Sequence, residues 1–166
     1  MISEDLVDDI RQGFFFGLNS GVITTSGLIA GLVQTSIDYK ILIVSVISLA
    51  ISDSFSESYG LYLSKKAENT EDFTNGPLLS LFSLLVTKFC IVVSFLLPLL
   101  FIKNLKCFKN LSWVICWSIL LLCILDYNLS TMRDESFFVY FIPHLFVLFT
   151  VIFSAKYFSL WLMWCT

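Results

Sequence analysis

The sequence is short of charge. Asp, Glu, Lys and Arg make up 14% of its 166 residues, against about 25% in an ordinary soluble domain. That scarcity, with 57% apolar residues and a mean hydropathy of +0.87, excludes a water-soluble globule. At least five stretches reach the roughly 18–20 apolar residues that cross a hydrocarbon core. A soluble chain of this length has no means of burying five such helices without exposing large apolar patches.

Other scarcities narrow the function classes. The ten basic residues are scattered, and the net charge of −3 leaves no basic face for nucleic acid. The five cysteines (Cys90, Cys107, Cys116, Cys123 and Cys165) include no Cys-x-x-Cys pair, which argues against a disulfide framework or a thiolate metal site. Cys116 and Cys123 lie seven apart on one helix face and read as small packing residues. There is one histidine, and no nucleophile and base stand at catalytic spacing, so no enzyme is expected. The first thirteen residues, MISEDLVDDIRQG, are acidic and lack the basic start and small-residue cleavage site of a signal peptide. They read as an amphipathic lead-in with Ile2, Leu6, Val7 and Ile10 on one side.

What is present is an all-α membrane domain over residues 14–164, with spans at about 14–33, 41–63, 78–102, 111–129 and 137–164. The first span carries Gly17, Gly21, Gly27 and Gly31, two Gly-x-x-x-Gly pairs that let helix backbones approach closely in lipid. Asn19, Ser20, Thr24, Thr25 and Ser26 make it unusually polar. KKAENTEDFTNG, the most hydrophilic stretch, follows the second span; Glu68, Glu71 and Asp72 there read as a solvated acidic turn. Gly76 and Pro77 mark the restart, proline suiting the first turn of a helix. Trp161 and Trp164 suit an interfacial anchor at the end of the fifth span. Lysine and arginine counts on the two sides tie, so charge alone leaves the orientation undecided.

The chemistry concentrates in the second span. Asp53 sits near its middle and Glu57 one turn on, so both project from one face about 5–6 Å apart. A charged side chain at mid-bilayer costs roughly 2.5–3.5 kcal/mol on insertion scales, and such residues face a bundle interior, an ion path or a partner. Two carboxylates match a divalent cation, and they can also take up and release protons. Ser45, Ser48, Ser52 and Ser56 form a hydroxyl stripe on a neighbouring face. The first two spans run antiparallel, which places Asp53 level with Thr24, and Glu57 level with Asn19 and Ser20. A polar site between helices or between subunits is the economical explanation. Two alternatives stand beside it: Lys88 and Lys156 neutralise the carboxylates as structural ion pairs, or the carboxyls stay protonated and hydrogen-bond helices together. His144, after Pro143 in the fifth span, reads either as a packing and hydrogen-bonding residue or as a metal ligand or proton relay.

The first two spans also carry a resemblance. Arg11 to Gly31, RQGFFFGLNSGVITTSGLIAG, resembles the first helix of the vacuolar iron transporter family through Arg11, Gly17, Asn19, Gly21, Thr24, Thr25, Ala30 and Gly31. Asp53, Ser56, Gly60, Tyr62 and Ser64 are similar to that family's second-helix motif, and Pro77, Thr87 and Pro98 to its third-helix frame. The resemblance covers about the first 100 residues; beyond that only hydropathy matches. It implies five membrane helices, a homodimer, and a metal path lined by the first two helices at the subunit interface. It implies export of Fe2+ or Mn2+ from the cytosol into a vacuole-like compartment or to the outside, coupled to proton exchange. The host membrane is then vacuolar, another endomembrane or the plasma membrane, with the amino terminus in the cytosol. No permanently bound cofactor is expected, only the transported metal, with membrane lipid and a second copy of the chain as the other partners.

On these terms Asp53, Glu57, Asn19, Ser20 and Thr24 are the candidates for metal or proton binding, and Gly17, Gly21 and Gly60 for close helix packing. The departures are specific. The family's metal-binding Asp is Ser20 here, its pathway Met is Glu57, and the acidic residue before its Tyr is Leu61. The glutamate-rich cytosolic insert is absent, and Lys88 adds a charge to the third span. Because Ser20 loses a carboxylate where Glu57, at nearly the same depth, gains one, the expectation is a relocated site that favours harder ions such as Mn2+. The competing expectation is a non-transporting membrane protein, structural or partner-binding, on the same scaffold.

Overall fold

A computed structural model of the chain describes residues 4–35, 37–68, 75–101 and 111–165. Its elements are α1 (Glu4–Gln34), α2 (Tyr39–Glu68), α3 (Gly76–Ser94), the short α4 (Leu96–Phe101), α5 (Ser112–Arg133) and α6 (Phe137–Cys165). There is no strand among the described residues. Five helices are long and apolar enough to cross a membrane, as befits a multi-pass membrane protein. Hydrocarbon offers the backbone no hydrogen-bond partner, so helices that satisfy their own amides are the form such runs take.

The elements depart from the expected spans in instructive places. α1 runs unbroken from Glu4 through the acidic start into the first span. The third span breaks at Phe95, whose amide turns back to Val92 O at 3.2 Å. Three residues on, Pro98 has no N–H for the Ser94 carbonyl and its ring crowds that carbonyl, so a single straight helix is disfavoured there. Pro143 has the same potential, yet α6 continues through it. The α5–α6 turn closes on Asp134, which adopts a left-handed conformation (φ 52°) as the α5 cap. As expected, α3 opens on Gly76 with Pro77 in its first turn.

α1 is the hub. It packs most extensively on α3, then on α6 and α5, and only lightly on α2, while α2 leans chiefly on α3. Two glycine rows make this possible. A Cβ at Gly13 would collide with the Ser80 carbonyl oxygen, and one at Gly17 would lie 2.9 Å from that of Leu84, so α3 rests directly on the α1 backbone. Gly21 continues this row against Ile91. Gly27 and Gly31 meet Val151 and Ser159 of α6 instead. Gly60, expected as a packing glycine, has nothing within 4 Å of its Cβ position. It lies on the outward face of α2 with Ser48, Ser52, Ser56 and Ser64. The core consists of Leu18, Val22, Ile29, Leu42, Val46, Phe95, Leu122, Leu148 and their neighbours. Phe82, Val86, Phe146 and Trp164 are among the large apolar side chains facing outward, the arrangement lipid favours.

Candidate functional site

Asp53 and Glu57 do converge with Ser20, but on a lysine. Lys88 of α3 is fully buried, and its Nζ lies 2.6 Å from Asp53 Oδ2, 2.6 Å from Glu57 Oε2 and 2.8 Å from Ser20 Oγ. The Ser20 hydroxyl in turn faces both Glu57 oxygens, at 2.9 and 2.7 Å. The side chains of Asp53 and Glu57 are 23% and 28% exposed, so the cluster is open on the carboxylate side and closed on the amine side.

Local geometry explains the assembly. The i, i+4 spacing puts both carboxylates on the α2 face that meets α3. The Gly17–Gly21 step brings the Lys88 stem against α1, with Lys88 Cγ 3.5 Å from the Gly21 Cβ position. The long aliphatic stem packs along apolar surface while its ammonium reaches the oxygens, as lysine commonly does. The polar site is therefore a three-helix junction rather than a seam between α1 and α2 alone.

The other expected residues fall differently. Thr24 donates its hydroxyl to the Ser20 carbonyl at 2.9 Å and does not join the cluster. Asn19 keeps its Oδ1 buried with no hydrogen-bond partner. Lys156, expected as an alternative counter-ion, makes no ion pair among the described residues; it lies near the far end of α6, away from the carboxylates of α2. The second lysine that does pair is Lys65, which binds Asp9 of α1 and donates to Ser80 Oγ at 2.6 Å. It ties the end of α2 to the starts of α1 and α3. The acidic turn of Glu71 and Asp72, the Glu68 side chain and Cys107 lie outside the described residues. The four described cysteines are free thiols.

A second polar pair escaped the sequence reading. His144 Nδ1 lies 2.6 Å from Asp126 Oδ1. The signal was present: Asp126 stands seven residues before the end of α5, and His144 seven after the start of α6, across a tight turn. Antiparallel helices bring such positions level, and only the face had to be known. No group of three or more His, Cys, Asp or Glu suited to a metal ion occurs among the described residues.

Neither a protein-family model nor a curated protein matches the chain.

Proposed function

We propose that this protein is a divalent-cation transporter of the kind its first two helices resemble, with Fe2+ or Mn2+ as the substrate. Asp53 and Glu57 are the cation-binding groups and Ser20 an accessory oxygen. The observation that carries the reading is the charge balance of the cluster: two carboxylates face one ammonium, leaving one negative charge in membrane-crossing helices. An uncompensated charge in a low-dielectric interior is costly, so a further cation or a proton is favoured at the open, carboxylate side.

Lys88 then acts as a resident counter-ion. Arrival of a divalent ion between Asp53 and Glu57 weakens the hold of the carboxylates on the ammonium, and departure of the ion restores it. Ser20, already in contact with Glu57, supplies a neutral oxygen to either state. An all-oxygen set of this kind suits Mn2+ over softer ions. A homodimer, with the outward small-residue face of α2 in the interface, and export from the cytosol belong to the same proposal.

The second reading is a non-transporting scaffold, and the full burial of Lys88 favours it. A buried lysine held by three oxygens is also what a fixed structural ion cluster looks like. One experiment separates the two: Mn2+ and Fe2+ flux into proteoliposomes, with and without a pH gradient, for the parent chain and the Asp53→Asn/Glu57→Gln variant. Transport predicts flux that the variant abolishes. Absence of flux from well-folded parent protein supports the scaffold.

A further inference from the structure

Asp126 is fully buried, and its two oxygens have different surroundings. Oδ1 meets His144 Nδ1, whereas Oδ2 is buried with no hydrogen-bond partner. His144 is the only basic side chain within ion-pair distance of Asp126 among the described residues, and its own side chain is 21% exposed. A carboxyl group inside a membrane span, with one lone-pair oxygen unsatisfied and an imidazole on the other, is a costly arrangement that points to a ligand.

Charge balance identifies the ligand. With a neutral imidazole the pair carries one negative charge; one added proton brings it to zero. The proton bonds to the free ring nitrogen, giving an imidazolium–carboxylate pair. A hydronium ion that delivers it leaves as water, and release reverses the step. No redox or covalent change accompanies it.

The surroundings leave the pair to itself. On α1, which packs against both helices, no residue from Gln12 to Gln34 is charged. On α5 the nearby titratable groups are Cys123 and Tyr127, with Arg133 at the helix end. On α6, Tyr140 donates its hydroxyl to Glu135 at 2.5 Å. Lys88 is held by Asp53, Glu57 and Ser20. A cleft of about 610 Å³ opens nearby between α1 and α5, lined by residues that include Asp8, Arg11, Leu129 and Arg133, and it stops short of the pair itself. Leu129 lies one turn from Asp126.

We propose that Asp126 and His144 form an exchangeable proton-binding site, separate from the lysine-centred cluster. The proposal stands whether or not that cluster carries a metal.

His144 is the sole histidine, so 15N-histidine labelling reports this site alone. The experiment follows the ring-nitrogen signals of the full chain in lipid nanodiscs from about pH 4 to about pH 9. The expected result is a single reversible protonation step. Its midpoint falls by about one pH unit or more, a roughly tenfold weaker proton affinity, in Asp126→Asn. Ring signals that stay constant across the range would overturn the proposal, and so would a midpoint that Asp126→Asn leaves in place. The titration of the parent protein needs no variant and remains decisive if Asp126→Asn does not fold.

Discussion

Two carboxylate sites lie in the membrane-crossing helices of this molecule, one half-buried around a lysine and the other fully buried against a histidine. In the α2–α3 half, Asp53 and Glu57 share the Lys88 ammonium, each at 2.6 Å. In the α5–α6 half, Asp126 meets the His144 ring at 2.6 Å. Both halves are built on α1 at nearly one depth. Ser20 marks the first site. The Ser26–Ser118 contact at 2.6 Å sets the register that brings Asp126 level with Leu18 and Asn19. The lesson is that one membrane domain can hold an ammonium shared by two carboxylates and an imidazole facing one carboxylate side by side, the choice resting on a single residue in each half.

The largest effect should come from breaking the lysine-centred half. Lys88→Met leaves Asp53 and Glu57 facing each other without their cation, and should cost about 3–5 kcal/mol in thermal or denaturant unfolding of the protein in nanodiscs. Adding Asp53→Asn and Glu57→Gln to that variant should restore most of the loss. Unchanged stability in the single variant would mean that the cluster does not hold α3 in place.

The contrast between the two glycine environments comes next. Gly17→Val drives a side chain into the Leu84 backbone and should destabilise by about 1–3 kcal/mol. Gly60→Val meets open space within the protomer and should leave unfolding within about 0.5 kcal/mol of the parent. A Gly60→Val variant that loses self-association on cross-linking, with its unfolding unchanged, would assign the outward face of α2 to a dimer interface.

In the α5–α6 half the expected effect is smaller. His144→Phe removes the partner of Asp126 Oδ1 and should cost about 1–3 kcal/mol by leaving a buried acceptor unpaired. His144→Gln, which keeps a donor on a similar stem, should recover part of this. Equal losses in the two variants would show that ring packing, not the hydrogen bond, matters at that position.

The smallest effect tests the register between the halves. A double-mutant cycle of Ser26→Ala and Ser118→Ala should give a coupling of about 0.6 kcal/mol, the usual scale for hydroxyl pairs between membrane helices. No coupling would mean that α1 and α5 are aligned by apolar packing alone.

Much of the fold was legible in the chain. Five apolar runs of spanning length, Gly76–Pro77 at a helix start and the glycine spacing of the first span each follow from local rules of length, dihedral freedom and side-chain size. The depth match of Ser20 with Glu57 was also readable, because the rise along a helix is constant. Less legible was the identity of the neighbours. Gly13 looked like the end of a lead-in, but it opens the row on which α3 rests. Lys156 and Lys88 looked interchangeable as counter-ions, but Lys88 lies on α3, the helix that α2 chiefly leans on. His144 looked solitary because its partner is eighteen residues away, on the other side of a turn.

By itself, then, the sequence determined that this is a helical membrane domain, where its helices run, and which ionisable groups must lie at bilayer depth. Those are consequences of hydrophobicity and of the fixed geometry of an α-helix, and they need no knowledge of neighbours. Only the tertiary structure decided which charges meet. Helix rotation about its own axis, and the order in which helices pack around α1, are set by the summed fit of many small contacts. Those contacts pair Asp53 and Glu57 with Lys88, and Asp126 with His144.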